Sequence, residues 1–360
     1  MPHPWIRHVI TEEEASQTPL SRRALNALSG DMISAHGSAS EDMGKDTLHL
    51  LSYRGEFLKP CPGTTNHICC GYQILNVGTN CPLDCSYCIL QSYFNNPNLR
   101  VFANLDQEIG DVISAVRNDP ENIYRIGTGE FTDSLALDEL TGWSGLLIPL
   151  FSRLQNAVLE LKTKTTRIGG LLEARERDRI IVSWSLNSPF IVSTEEHRAA
   201  GLKKRLEAAR TCQQEGYVLG FHFDPMIPHR GWKEGYLRTL EMLDRYIDPE
   251  GIIWISLGSF RYIPSLKEII RRRHPGTHIL DGEFITGLDG KMRYFKPIRM
   301  ELYEFMRKNL EKWHPDLGLY LCMESDEVWS SSMGWSPGDS DGLRDYLDGR
   351  VRKTFGWNSG

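Results

Sequence analysis

The chain has 360 residues, is 40% hydrophobic and carries a formal net charge of −6. That length and apolar content allow one large core or two smaller ones, and the acidic balance argues against nonspecific, charge-driven nucleic-acid binding, which needs a local excess of Lys and Arg. No stretch approaches the ~18 apolar residues of a membrane span, and acids stand in "MPHPWIRHVITEEEASQ" where a signal peptide has an apolar core; the expectation is a cytoplasmic protein with no membrane contact.

Residues 1–70 read as an irregular N-terminal extension, with the polar stretch Leu28–Asp46 as a mobile segment or extended arm. From Gly71 on, short apolar runs alternate with amphipathic stretches: "YQILNVG", the helix "DQEIGDVISAVRN", "YRIGTGE", the helical "LTGWSGLLIPLFSRLQN", "AVLELKTK" and "RIIVSWSLN". The helix "HRAAGLKKRLEAARTCQQEG", then "YVLGFHFDPM", the helix "WKEGYLRTLEMLDRYI", "GIIWISLGSF" and "SLKEIIRRRH" continue the alternation. About six strand–helix units argue for an α/β fold with a parallel sheet, and six is short of the eight of a closed TIM-type barrel. The expectation is an open, partial (β/α)6 barrel over residues 71–265, with a C-terminal α/β region, 266–360, closing its mouth. The segment "EVWSSSMGWSPG" reads as a loop.

Of eight cysteines, Cys81, Cys85 and Cys88 stand at C-x3-C-x2-C in "NCPLDCSYCILQ", with Tyr87 before the third. In a reducing compartment such clustering favours metal over disulfides. Structural zinc needs four ligands. A [4Fe–4S] cluster normally takes four thiolates, so three leave one iron open to a small molecule; buried structural cysteines are the other reading. Cys61, Cys69 and Cys70 read either as small buried thiols or as an auxiliary metal or redox site. His222, Asp224 and His229 read as residues facing a substrate pocket and not as metal ligands. "KKR" (Lys203–Arg205), "RRRHPGTH" (Arg271–His278) and "KMRYFKPIR" (Lys291–Arg299) are the basic patches, either solvated faces or a nucleic-acid surface.

The cysteine loop, C-x3-C-x-aromatic-C, resembles that of the radical S-adenosylmethionine enzymes. With "DCSYCILQSYFNNPNLRVFANL", "LKTK", "SWSLNS" and "GYVLGFHFDPMIPHRGWKEGY", the resemblance narrows to the spore photoproduct lyase family, which splits a thymine–thymine lesion in DNA. It implies a partial barrel of that type, a [4Fe–4S] cluster on Cys81, Cys85 and Cys88, and reductive cleavage of S-adenosylmethionine at the open iron, with hydrogen abstraction from a DNA base or lesion. An electron donor of flavodoxin or ferredoxin type is the implied partner. Gly127 and Gly129 would let backbone approach the cofactor, Glu130 would accept from its ammonium, and Thr132, Lys164 and Ser185 match cofactor-contacting positions. Two positions depart from the family: Glu130 stands in place of a hydrogen-donating cysteine and Ile89 in place of a relaying tyrosine, leaving Tyr87 as the catalytic candidate and Cys69, Cys70 or Cys322 as alternative thiol donors. Radical modification of a peptide or small metabolite is the second enzymatic reading, and a non-catalytic metal-binding protein the third.

Overall fold

In a computed structural model the chain is described at residues 4–28, 33–37 and 44–357. It divides into two compact units: Met1–Pro60, Tyr72–Asp84 and Leu90–Ile180 in the first, and Cys61–Gly71, Cys85–Ile89 and Ile181–Gly360 in the second.

The first unit is not irregular at its N-terminus. Strands His8–Thr11, Ile33–His36, Thr47–Leu51 and Leu99–Phe102 pair in parallel, and the short strand Gly78–Thr79 closes one edge antiparallel. These strands are four or five residues long, and Thr47–Leu51 is buried at every position. Strands this short carry too few positions to show a period, which is why this sheet escapes a periodicity reading. Within Leu28–Asp46, residues 29–32 and 38–43 lie outside the described residues. Helix Pro19–Ala27 starts as its sequence dictates: the Thr18 hydroxyl accepts from Ser21 N at 3.2 Å, and Pro19 fills the first turn, where no intrahelical donor is needed. Helix Leu105–Arg117 buries Leu105, Ile109, Ile113 and Val116, a stripe at helical spacing.

The same unit carries four strands of the barrel sheet: β1 (Leu58–Pro60), β2 (Gln73–Leu75), β3 (Tyr124–Gly127) and β4 (Ala157–Thr163), in spatial order β4-β3-β2-β1, antiparallel only between β1 and β2. The second unit carries β5 (Ile180–Ser185, all but its first residue), β6 (Val218–Met226), β7 (Ile252–Ser259) and β8 (Leu319–Leu321), all parallel, in order β8-β7-β6-β5. The fold is thus mixed α/β on an eight-stranded, half-barrel sheet. β2 to β7 are the six strands expected from the sequence; β1 and β8 flank them. β5 and β7 are buried at every residue, so both faces of these parallel strands are covered.

The C-terminal part holds helix Lys296–Trp313, β8, and helices Asp326–Met333 and Ser340–Phe355. The segment read as a loop is therefore largely helical. Ser325 caps Asp326–Met333 through Val328 N, Val328 and Trp329 pack inside, and Gly334, at φ 74°, ends it in the left-handed region. Its serine run masks the cap and the buried face. Among the described residues no helix is long and apolar enough to cross a membrane.

An antiparallel sheet of Arg261–Tyr262, Met292–Tyr294 and Phe284–Thr286 completes the second unit. Asp289, in the turn of its hairpin, accepts from Arg293 Nη2 at 2.7 Å and from Thr64 Oγ1 at 2.6 Å, which clips the 61–71 segment to the hairpin. Burial works to raise the Asp289 carboxyl, but hydrogen bonds from Arg293 and Thr64 outweigh it and hold the group well below the ordinary carboxylate range. A depressed folded pKa contributes stability that is fully present above the unfolded value of about 3.9 and is lost as pH falls through the folded value. Urea melts of Asp289→Asn against the unaltered chain should show a constant loss of about 1.5–3 kcal/mol between pH 5 and 8, narrowing below about pH 4; a gap independent of pH down to acid unfolding would contradict the assignment.

Candidate active site

The cysteine loop begins where strand Gly78–Thr79 ends. Asn80 sits at φ 68°, a conformation Asn tolerates better than most residues, and its amide donates to the carbonyls of Asn96 at 2.6 Å and Asn98 at 2.7 Å. Asp84, at φ 56°, pairs with Lys45 at 2.9 Å. These two residues turn the chain on either side of the Cys81–Leu83 segment. Cys81 is half-buried and belongs with the first unit; Cys85, buried, and Cys88, half-buried, belong with the second.

The second half of the loop is stitched to residues 195–196. Ser86 N donates to Glu195 O at 2.9 Å, Cys85 and Glu196 form an antiparallel bridge, and the Ser86 hydroxyl donates to the Glu195 carboxylate, which also accepts from Thr277 Oγ1 at 2.6 Å. The Tyr87 hydroxyl donates to one oxygen of Glu196, and the Arg205 guanidinium holds the other. Neither the Glu196 nor the Arg205 side chain has exposed surface. Arg205 also donates to Ser185 O at 2.9 Å and Ala200 O at 2.6 Å. Burial, then the Glu196 charge, pushes the Tyr87 phenol well above its ordinary pKa, so it stays neutral. Arg205 is therefore not part of a basic surface. Arg293 and Arg299, 1% and 6% exposed, are likewise spent in internal ion pairs with Asp289 and Glu324.

The donor chemistry of the loop fits an iron–sulfur cluster. Cys81, Cys85 and Cys88 are three soft thiol donors on one short loop. Among the described residues no three His, Cys, Asp or Glu side chains, these thiols included, converge as a single-ion site.

At the end of β3, Glu130 forms an ion pair with Lys162, on β4. Two glycines lie beside it, and the space a Cβ would take at each is filled by the protein: at Gly127 by the Tyr72 hydroxyl, and at Gly129 by Lys162 Cβ, 2.9 Å away. The Tyr72 hydroxyl donates to Glu160 Oε2 at 2.8 Å, and both residues are buried. The loop after β3 is locked to β4 by Asp133, a buried carboxylate that accepts from Leu135 N, Ala136 N, Thr163 Oγ1 and Lys164 N at 2.7–3.0 Å. Burial pushes the Asp133 pKa up against these four bonds. Ser134 adds three more links, to Thr128 Oγ1 at 2.8 Å, Lys162 N at 3.0 Å and Lys162 O at 3.1 Å. Thr132 is buried in this loop, and Lys164 is fixed by its backbone at the end of β4.

In the second unit, Ser185 ends β5 in register with His222, which is in register with Ser256; His222 Nδ1 and Ser256 Oγ are 2.6 Å apart. Asp224 receives both Arg261 nitrogens, at 3.0 and 3.1 Å, and Arg261 Nη2 also lies 3.5 Å from Cys322 Sγ, just after β8. Burial, then the Asp224 charge, pushes the Cys322 thiol well above its ordinary pKa and keeps it protonated.

The family model for spore photoproduct lyase matches residues 65–317. The chain belongs to the spore photoproduct lyase family. It is therefore a radical S-adenosylmethionine enzyme by kinship. It is 27% identical over 251 residues to the spore photoproduct lyase of Geobacillus sp. (strain Y412MC61), covering 66% of this chain and 73% of that one. It is 24% identical over 327 residues to that of Clostridium acetobutylicum, covering 85% and 95%. A solved spore photoproduct lyase mutant superposes with a TM-score of 0.79 at 24% identity over 88% of this chain and 98% of its own, and another was solved with bound AdoMet and dinucleoside spore photoproduct, at a TM-score of 0.77. These solved structures share the half-barrel fold.

Sequence reasoning passed over Glu196, Asp133, Glu160 and Arg261, and it read Arg205 as a patch cation and Asp224 as a pocket residue without their ion-pair partners. Only Glu160 carries a local signal, an acid inside the apolar strand "AVLELKT"; the Glu196 acid in "STEEHR" is indistinguishable from a solvated one. Glu196→Gln leaves the buried Arg205 charge uncompensated and should cost about 3–5 kcal/mol, whereas Tyr87→Phe removes one hydrogen bond to a charged acceptor and should cost about 1.5–3 kcal/mol. Chemical denaturation of both variants checks the order; a Glu196→Gln loss smaller than that of Tyr87→Phe would mean the pair is not the anchor.

Proposed function

We propose that Cys81, Cys85 and Cys88 hold a [4Fe–4S] cluster, that the chain cleaves S-adenosylmethionine reductively, and that its substrate is a DNA base or base lesion. The observation that carries this is a three-thiol loop, short of the four ligands of a closed site, in a chain of this family. When bound, the cluster supplies one electron that breaks the sulfonium of its ligand and yields a 5′-deoxyadenosyl radical. The protein's own residues do the rest. Ser86 and Tyr87 hold the loop against the Glu195–Glu196 segment, so Tyr87, the expected catalytic residue, acts by positioning the thiols on either side of it. Glu130 offers a carboxylate to the methionine ammonium in exchange for Lys162, and Gly127, Gly129, Thr132, Lys164 and Ser185 complete the cofactor set. The relatives solved with dinucleoside spore photoproduct support a DNA lesion as substrate. Cysteines clustered in this way favour metal over disulfides in a reducing setting, and in the cytoplasm a flavodoxin or ferredoxin would reduce the cluster.

One observation favours a reaction other than lesion repair. Glu130 is paired with Lys162, and Ile89 is an aliphatic side chain 36% exposed; neither carries a bond that readily yields a hydrogen atom to a substrate radical. The reduced protein should therefore convert S-adenosylmethionine to 5′-deoxyadenosine while repairing spore photoproduct in an oligonucleotide poorly, and Glu130→Cys with Ile89→Tyr should raise repair once S-adenosylmethionine is supplied at a concentration that saturates the variant. Clean conversion to thymines by the unaltered chain would restore repair as its function.

The thiol assignment has its own test. Anaerobic reconstitution of the triple Cys→Ala variant at 81, 85 and 88 should give no brown absorbance and no cofactor cleavage, while Cys212→Ala, a change at a buried helical thiol, keeps both. Close to four irons per chain in the triple variant would refute the ligand set. Glu130→Gln should weaken S-adenosylmethionine binding by about 1.5–3 kcal/mol, and unchanged affinity would leave Glu130 as Lys162's partner alone.

A further inference from the structure

The reaction above makes no use of a cluster of rings beside the end of β3. Tyr93, in helix Leu90–Tyr93 directly after the cysteine loop, stacks on Phe131, the residue after Glu130, with centroids 5.8 Å apart and planes at 25°. Phe94 meets both rings edge-on, at 5.3 and 5.9 Å. Tyr93 is 49% exposed, and Phe94 and Phe131 are half-buried. Lys59, on β1, sets its ammonium 5.8 Å from the Phe131 centroid and 3.4 Å from the Tyr53 hydroxyl. Among the described residues no carboxylate forms an ion pair with Lys59, whereas Lys162 has Glu130.

Two features thus occur together: partly exposed π faces and a nearby cation whose described partners are uncharged. An aliphatic ligand would use only the first, and a free anion only the second. A nucleotide uses both, because its base stacks on any aromatic face and its phosphate seeks an ammonium. We propose that Tyr93, Phe94 and Phe131 form a stacking platform for a base of unpaired DNA, with Lys59 receiving an adjacent phosphate. This rests on DNA being the substrate class. The platform is a way for a chain of net charge −6 to hold DNA: stacking supplies affinity that a basic surface would otherwise supply, and the salt dependence is correspondingly shallow.

The test is fluorescence anisotropy of a labelled ten-nucleotide single strand titrated with the anaerobically reconstituted full chain. Tyr93→Ala and Phe131→Ala should each weaken binding about 5- to 150-fold, with Tyr93→Phe and Phe131→Tyr close to the unaltered protein. Lys59→Gln should flatten the slope of log affinity against log salt by about 0.7, the value for one phosphate on a single strand. S-adenosylmethionine affinity and melting temperature are measured on the same variants and should hold. Equal DNA binding by the alanine variants overturns the platform while leaving DNA as substrate. Weakened S-adenosylmethionine binding with DNA binding intact overturns it too, by giving the rings to the cofactor's adenine. If the unaltered chain cleaves S-adenosylmethionine yet binds no strand, DNA itself is the wrong substrate class and the platform falls with it.

Discussion

Glu196 is a carboxylate without exposed surface, and an ionised group in that position must be neutralised and fully hydrogen-bonded. Arg205 supplies the charge, and Tyr87 supplies a donor to the oxygen that Arg205 does not hold. Because Tyr87 lies between Cys85 and Cys88, satisfying this one anion also decides where two of the three thiols sit. Arg205 carries the constraint further, to the carbonyl of Ser185 at the end of β5. A well-packed apolar trio of the same volume could match such a pair in stability. What it could not do is fix a direction: the Glu196 carboxylate accepts from two sides, and that defines the course of a loop with no regular ladder of its own.

The first unit meets the same problem with Asp133, whose four donors come from its own loop and from β4. Here the buried anion ties Thr132 and Lys164 to one another through the backbone. The glycines of this loop look different once the packing is known. A side chain at Gly127 would collide with the Tyr72 hydroxyl, which is itself held by Glu160. The close approach that requires glycine is thus already made by the protein, and a ligand's approach to the same backbone is an additional demand.

What was legible in the sequence follows from the range of the forces involved. The six parallel strands β2 to β7 announce themselves as apolar runs between amphipathic helices, because burial on both faces is a local, compositional requirement. The cysteine triplet is legible because metal ligands on one loop have fixed spacing. The N-terminal sheet is not, since four-residue strands carry too few positions for a period, and helix Asp326–Met333 hides behind serines whose role as a cap depends on chain direction. Arg205 shows the limit most clearly. In "KKR" it reads as one of three surface cations, yet it is the fully buried one, and only the fold, by bringing Glu196 to it, makes that position tolerable.

Glu130 concentrates the remaining chemical tension. It has a cation already, Lys162, the one half-buried residue of the otherwise buried strand β4. A ligand ammonium arriving there must displace Lys162 or share the carboxylate with it, and both side chains are only partly exposed, at 30% and 21%, so the displaced charge has limited access to water. Two cations on one carboxylate repel in a medium that screens poorly. Lys162 therefore sets a threshold: a ligand that brings only an ammonium gains little at Glu130, whereas one that also brings a carboxylate gives Lys162 a new partner as it surrenders the old. An amino acid moiety, with both charges on one carbon, is the kind of ligand that turns this ion pair from a competitor into a second point of recognition.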